Sequence, residues 1–392
     1  MSKIVFFCIP AHGHINPTLG VVRELVNRGH RVWYYSFDMM REKIEAAGAE
    51  FISCDDFDSE RHIDPKDAAR LGSDLALSTR LLVDTTLALD ETVCLHMAQI
   101  QPDCIVADSM ATWGKAAAMK LGIPFVSSTT TFAFNRHSAK LMKQSRRELV
   151  KMLFSMPKIN RELRRLQACG YPIKSVLELI SSDNDTQTIV YTSPEFQPCS
   201  ETFSEKFAFV GPSIRPAESE FEKKREKLVY ISMGTVNNDM LPLYQNCIEA
   251  FCGSGYQVLI SAGETADIAA LGALPENVEV RPSVDQIAVL QQADAFISHC
   301  GMNSVSESLY FSVPLIMLPQ TKEQEAVAAR TAELGAGLML RDTGAESIRR
   351  AVERILTEPE FRHNAEKIAH SFRACSGAAG AADRILSLCR DS

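Results

Sequence analysis

Residues 294–324 read DAFISHCGMNSVSESLYFSVPLIMLPQTKEQ, and the alternation of apolar and polar blocks in this stretch decides the fold. Residues 295–298 and 315–318 are short, continuous apolar runs. That is the pattern of strands buried on both faces in a parallel sheet covered by helices. Polar residues follow each run at once, His299 to Ser304 after the first and Gln320 to Gln324 after the second. In open α/β sheets ligands bind beyond the carboxyl ends of the strands, so the two clusters are expected to face one site. Asn303 and Ser304 stand where a helix should begin, and the unpaired N–H groups and positive dipole end there suit a phosphate. Ser304 with Glu307 also fits a Ser-x-x-Glu capping box, a local device that needs no ligand.

The same grammar opens the chain. Residues 3–9 form an apolar run followed directly by PAHGHINP at 10–17, and Leu19, Val22, Leu25 and Val26 then recur on one helical face. Gly29 ends that helix, 32–35 reads as the next strand, and a helix over 39–47 closes at Gly48, an order that calls for a parallel sheet. Asp38 sits where a ribose-binding acid would follow the second strand. The first turn carries only Gly13, however, and lacks the G-x-G-x-x-G of dinucleotide enzymes. His12 and His14 could chelate a metal, but no third ligand accompanies them at a recognisable spacing. An imidazole at the mouth of a sheet is better placed to take a proton from a substrate hydroxyl.

Residues 104–107 are a further strand, ended by Asp108, with a helix over 112–121 and another strand over 124–127. Asp108 and His14 thus occupy strand carboxyl ends of one sheet, where they can meet. Asp103 precedes its strand and should face the opposite end. A helix is expected over 75–99. Asp56-Phe57-Asp58 and Asp183-Asn184-Asp185 match a metal-binding D-x-D pattern but lie in polar stretches, and both read as solvated loops. Between 128 and 185 the strand–helix order breaks down. There Phe132, Phe134, Met142, Met152, Phe154 and Met156 are set among basic residues, with an amphipathic helix over 143–165.

Strands at 188–191 and 207–210 complete the first sheet, and the charged segment 213–227 after Gly211-Pro212 reads as a linker. A second sheet opens at 228–232, and its turn Met233-Gly234-Thr235 offers a glycine where backbone could approach a phosphate closely. A helix over 241–252, strands near 257–260 and 278–280 and a helix over 285–291 lead back to the opening stretch. Beyond it come a helix to 334, a strand at 338–340 and helices from 345 onward.

A chain of 392 residues with 46% hydrophobic and 23% charged residues suits two soluble globular domains. The net charge of -8 gives no electrostatic footprint for nucleic acid or an anionic membrane, so neither is expected as a partner. Eleven cysteines without CxxC pairs read as reduced packing thiols of a cytoplasmic protein, a monomer or homodimer.

Five islands, GHINP, PDCIVAD, SMGT, HCGMNSxxE and PQTKEQ, stand in this order and each follows or forms a strand. Together they resemble the inverting UDP-glycosyltransferases, including plant secondary-product and bacterial macrolide enzymes. The resemblance implies an α/β chain of GT-B architecture, two facing Rossmann-like domains with parallel sheets and an inter-domain cleft. It places an acceptor-binding domain at 1–212, a linker at 213–227, a donor-binding domain at 228–375 and a final helix, 376–392, returning to the first domain. The implied reaction moves a hexose, glucose from UDP-glucose, to a hydroxyl of a small hydrophobic acceptor such as a macrolide, flavonoid or other phenol.

By the same resemblance His14, three residues before the proline, is the base and Asp108 orients it. Gly234, Thr235, Val284, Gln286, His299, Gly301, Asn303, Ser304, Glu307, Glu323 and Gln324 fall at donor-binding positions. Within that set Glu307 is implied to hold the ribose and Glu323 with Gln324 to read the sugar hydroxyls. Phe132, Phe134, Met142 and Met152 lie in the region that shapes the acceptor pocket. No metal or cofactor is implied, the UDP-sugar being a co-substrate. One departure stands out: the family's Pro-Gln at the start of the donor motif is Ser283-Val284-Asp285-Gln286 here. Another GT-B enzyme, such as a sugar-nucleotide epimerase or retaining transferase, or a non-catalytic nucleotide-sugar sensor, is the alternative reading.

Overall fold

The computed structural model describes residues 1–55, 74–135, 137–138, 146–175, 178, 185–234 and 240–390. They divide into two compact units, one of 1–191, 199–213 and 376–392 and the other of 192–198 and 214–375.

The first unit holds strands β1 (Lys3–Phe7), β2 (Arg31–Ser36), β3 (Glu50–Ser53), β4 (Cys104–Asp108), β5 (Phe125–Thr129), β6 (Thr188–Val190) and β7 (Phe207–Phe209). They pair in parallel in the order β3-β2-β1-β4-β5-β6-β7. Helices α1 (His12–Asn27), α2 (Arg41–Ala46), α3 (Leu75–Ile100), α4 (Thr112–Leu121) and α5 (Arg146–Ala168) belong to this unit. The winding reverses between β1 and β4, so the carboxyl ends of those two strands open the crevice that suits a ligand.

Side chains alternate across the sheet, as a period of two requires. Ile4 and Phe6 join Leu19 and Val22 of α1 in one buried cluster. Val5 and Phe7 turn the other way, toward Leu89, Val93 and Met97 of α3 and Ala117 and Ala118 of α4. The final helix (Gly377–Arg390) adds Ala381, Ala382, Ile385 and Leu386 to the first cluster. Burial of Ile385 and Leu386 stabilises that docking by about 1.5–3 kcal/mol each. The exposed ion pair of Arg28 with Asp383 adds less, because water screens it.

Gly114 of α4 lies flat on β1, and a Cβ there would stand 2.6 Å from Cβ of Phe7. Gly114→Ala should gain about 1 kcal/mol of helix propensity and lose about 1–3 kcal/mol to overpacking. A lower urea midpoint at unchanged m-value is the expected result, and a raised midpoint would show that the helix can move off the strand.

The second unit repeats the plan. Strands β8 (Leu228–Ser232), β9 (Gln257–Ser261), β10 (Val278–Arg281), β11 (Ala295–Ser298), β12 (Leu315–Met317) and β13 (Gly337–Met339) pair in parallel in the order β10-β9-β8-β11-β12-β13. Its helices are α6 (Leu241–Phe251), α7 (Gln286–Leu290), α8 (Met302–Tyr310), α9 (Lys322–Glu333), α10 (Ala345–Thr357) and α11 (Pro359–Arg373). Val229, Ile231, Ile260 and Ile297 pack with Tyr244 and Phe251 of α6 and Ile348 and Val352 of α10. Here the winding reverses between β8 and β11.

Two expected boundaries shift. Residues 192–198 leave the first unit for the second, where Arg330 of α9 donates to the carbonyls of Glu195 (2.7 Å) and Phe196 (3.1 Å). Phe196 also meets Phe372 of α11 edge to face, with ring centroids 5.5 Å apart. The segment expected to link the domains, 213–227, is tied to the second unit from Ile214 onward. There Lys223 pairs with Asp294 at 2.6 Å and the Lys224 N–H donates to Gln257 Oε1 at 2.6 Å. All eleven cysteines are free thiols. Among the described residues no helix is long and apolar enough to cross a membrane.

Candidate active site

At the first reversal point, the turn expected at GHINP is the opening of a helix. α1 begins at His12 with Ala11 as its extended N-cap, and the N–H groups of His14 and Ile15 both donate to the Ala11 carbonyl at 2.9 and 3.0 Å. Pro17 lies inside the helix, where its missing N–H forfeits only the bond to the Gly13 carbonyl. His14 is therefore held on the first turn of a helix, next to the carboxyl ends of β1 and β4.

Its Nδ1 stands 2.8 Å from Asp108 Oδ2, and Thr130 Oγ1 stands 3.1 Å from the same nitrogen. Asp108 is 3% exposed, and its Oδ1 accepts from the Met110 N–H at 2.8 Å. A carboxylate on Nδ1 holds the imidazole in the tautomer whose Nε2 can accept a proton. His12 does not share this arrangement. Partial burial and the neighbouring Lys43 amine, 3.4 Å from its Nδ1, lower its pKa, and the same cation opposes a metal there. Asp103 accepts from the Lys3 N–H at 2.7 Å, at the opposite end of the sheet as its position in the sequence requires.

At the second reversal point, Gly234 follows β8 and His299 follows β11. Gly234 has φ +84°, and a Cβ on it would stand 2.7 Å from His299 Nε2. A Cβ on Gly301 would stand 2.8 Å from the same atom. Two glycines thus let backbone close around one imidazole. Burial lowers the His299 pKa, with the Ser232 carbonyl working against that shift. Nδ1 of His299 is buried without a hydrogen-bond partner among the described residues. Thr235 lies outside the described residues.

α8 starts at Met302 with Gly301 as N-cap and no side-chain cap. The capping box expected from Ser304 and Glu307 is therefore not formed, since both residues lie inside the helix. Asn303 and Ser304 occupy its first turn. Glu307 Oε2 instead accepts from Gln286 Nε2 at 2.6 Å, and Gln286 Oε1 accepts from Tyr230 Oη at 3.2 Å.

Burial raises the Glu307 pKa, opposed by the Gln286 amide and by Arg215, with Asp285 adding to the rise. Between the ordinary carboxylate range and this raised value the folded state keeps a proton that the unfolded chain has released. Stability should therefore fall as pH rises through that window. Glu307→Gln removes the slope, so its urea midpoint should gain on the native protein as pH rises. Parallel profiles would contradict this.

Val284 is half-buried just before α7. Its neighbour Asp285 accounts for the departure from Pro-Gln: its carboxylate binds Arg215 at 2.6 Å and the N–H groups of Glu218 (2.6 Å) and Ser219 (3.0 Å). Burial works against its ionisation, but these partners hold its pKa below the usual range. The family's proline position is thus used to anchor the incoming chain.

The capping box that does form is Thr321 with Gln324, at the start of α9. Gln324 Oε1 accepts from the N–H groups of Gln320 (2.7 Å) and Thr321 (3.2 Å), and Thr321 Oγ1 accepts from the Gln324 N–H at 3.3 Å. The oxygen of Gln324 is therefore occupied by its own helix end. Glu323 sits beside it in the first turn.

Of the expected acceptor residues, Phe132 is 3% exposed and lies in the interior, whereas Phe134 is exposed. Met142 lies outside the described residues, and Met152 is placed only as part of the α5 backbone. Phe154 is exposed, and Met156 lines an open hollow of about 580 Å³ with Pro157, Leu163 and Gln167; neither His14 nor Asp108 lines it. Sequence reading missed Thr130 and Arg215. The first was hidden in the Ser127–Thr131 run that ends β5 and continues past it, the second in a segment taken as linker.

A solved glycotransferase of kitacinnamycin has the same fold with TM-score 0.85 at 27% identity, covering 99% of this chain and 98% of that one. The class is thus a GT-B glycosyltransferase. Residues 257–385 match the family described as erythromycin biosynthesis protein CIII-like, C-terminal domain. The UDP-glucosyltransferase YdhE of Bacillus subtilis, itself uncharacterised, is 32% identical over 411 residues, covering 100% of this chain and 99% of that one. The demethyllactenocin mycarosyltransferase of Streptomyces fradiae is 30% identical over 407 residues, covering 99% and 87%. The chain belongs to the UDP-glycosyltransferase family and is an enzyme of that kind.

Proposed function

We propose that the enzyme transfers glucose from UDP-glucose to a hydroxyl of a small hydrophobic acceptor, a macrolide, flavonoid or other phenol, with inversion at the anomeric carbon. The observation that carries this reading is the 2.8 Å contact of His14 Nδ1 with buried Asp108, which leaves Nε2 as the proton acceptor. His14 removes the acceptor proton as the oxygen attacks, and Asp108 stabilises the imidazolium that forms.

The second unit holds the donor. His299 and the α8 N-terminus, with Asn303 and Ser304, meet the diphosphate, whose charge grows as the glycosidic bond breaks. Glu307, oriented by Gln286, takes the ribose hydroxyls. Backbone near Val284 meets the base, and Gly234, Thr235 and Gly301 allow close approach to phosphate. Glu323 and the amide nitrogen of Gln324 read the sugar. Fixed dipoles serve in place of a metal, and Phe134, Met142 and Met152 contact the acceptor. A donor panel separates transfer of glucose, as the name of the YdhE relative suggests, from transfer of a mycarosyl group, as the name of the mycarosyltransferase relative suggests.

The test is product analysis with UDP- and TDP-sugars crossed against phenols, macrolides and flavonoids, run with EDTA present. The expected product from UDP-glucose has the anomeric coupling constant of a β-glucoside. An α-glucoside would establish retention, binding without turnover across the panel would mark a sensor, and loss of turnover on chelation would restore a metal.

A further inference from the structure

We propose that Thr130 selects the tautomer of His14, a positioning role that rests on the reading of His14 as the base. Thr130 is the first residue after β5 and is 3% exposed. Among the described residues its hydroxyl has one hydrogen-bond partner, His14 Nδ1 at 3.1 Å, the nitrogen that Asp108 Oδ2 approaches to 2.8 Å. The carboxylate can only accept from that nitrogen, whereas the hydroxyl can either accept from it or donate to it.

Two arrangements satisfy the distances. In the first, Nδ1–H donates to Asp108 with the Thr130 oxygen as a weaker second acceptor, and Nε2 carries the lone pair. In the second, the Thr130 hydroxyl donates to Nδ1 and the ring proton resides on Nε2. That second form sets a carboxylate oxygen against a nitrogen lone pair at 2.8 Å, an electrostatic repulsion. A charge-assisted bond is roughly twice as strong as a neutral one, so the first arrangement holds while Asp108 is ionised.

The hydroxyl then has opposite effects in two settings. With Asp108 present, the Thr130 oxygen is a second acceptor for the ring proton and supports the imidazolium once His14 has taken the substrate proton. With Asp108 removed, the repulsion is gone and Thr130 donates to Nδ1. The proton moves to Nε2, and the atom that should accept is already protonated. A role in packing alone predicts no such reversal of sign.

The test compares native enzyme, Thr130→Val, Thr130→Ser, Asp108→Ala and the double variant Asp108→Ala/Thr130→Val, with UDP-glucose and a phenolic acceptor. Thr130→Val should lower kcat several-fold with KM for UDP-glucose unchanged, and Thr130→Ser should retain native kcat. In the Asp108→Ala background the same valine should raise kcat several-fold. Histidine ¹⁵N shifts give a readout independent of turnover: Nδ1 protonated in native enzyme and Thr130→Val, Nε2 protonated in Asp108→Ala, and a return toward Nδ1 in the double variant.

Equal loss on valine substitution in both backgrounds, or an unchanged tautomer in Asp108→Ala, overturns the inference. Should Asp108→Ala not fold, the single variants decide: a native kcat in Thr130→Val, or no recovery in Thr130→Ser, overturns it. His14→Ala is the control that separates the two readings. Near-native turnover in that variant removes the base assignment itself, whereas an inactive His14→Ala without the reversal of sign removes only tautomer selection.

Discussion

His14→Ala is expected to lower kcat by about 10²–10⁴-fold while the KM for UDP-glucose changes little, because the loss falls on proton removal during attack. The imidazole is the base candidate that the first unit places at the reversal of its sheet, and Asp108 turns its Nδ1 inward. Acceptors already ionised at the assay pH do not need a base, so they should lose least. A phenol of low pKa should therefore be damaged less than an aliphatic alcohol. Asp108 is left buried without its ring partner in this variant, so the urea midpoint must be measured beside kcat. Uniform loss across acceptors of every acidity, tracking a lower midpoint, would reassign His14 to structure.

His299→Ala carries the second largest expected effect. Loss of one donor to a developing negative charge costs roughly 3 kcal/mol, so kcat/KM for UDP-glucose should fall by about 10²-fold. The free enzyme keeps this ring neutral by burial, yet an arriving diphosphate favours the imidazolium. UDP binding near neutral pH should then take up protons, seen as a dependence of the calorimetric heat on buffer ionisation. That dependence should vanish in His299→Ala. A companion variant checks the cradle. Gly234→Ala forces a Cβ to 2.7 Å from Nε2 and places alanine at φ +84°, while in the His299→Ala background the ring clash is gone and only the backbone strain remains. Binding that is insensitive to both substitutions would move the diphosphate elsewhere.

Local pattern carried much of the reading. Strands such as Leu228–Ser232 and Ala295–Ser298 stand where their continuous apolar runs predict. α4 runs from Thr112 to Leu121 as its spacing and Gly122 require, because Gly122 adopts φ +67° at the helix end. Element ends next to proline were less legible. GHINP reads as a turn by its Gly and Pro, but the N–H that Pro17 lacks is one bond of an otherwise intact helix.

The capping boxes show the limit most directly. Ser304-x-x-Glu307 and Thr321-x-x-Gln324 are the same pattern, yet only the second closes on itself. Glu307 is drawn away by Gln286, 21 residues earlier in the chain, whereas among the described residues the Gln324 side chain bonds only to Gln320 and Thr321 beside it. Likewise Asp285 looks like a broken donor motif until Arg215, 70 residues away, is seen against it.

The sequence by itself determined the order of strands and helices, the two parallel sheets and the strand carboxyl ends near which His14, Asp108, Gly234 and His299 fall, because apolar period and glycine placement act over a few residues. Only the tertiary structure decided which atoms of those residues meet: Nδ1 of His14 with both Asp108 and Thr130, His299 over two glycines, Glu307 with Gln286. Those contacts join positions far apart in the chain, and a side chain is committed by whichever partner the fold brings to it, not by its neighbours in sequence.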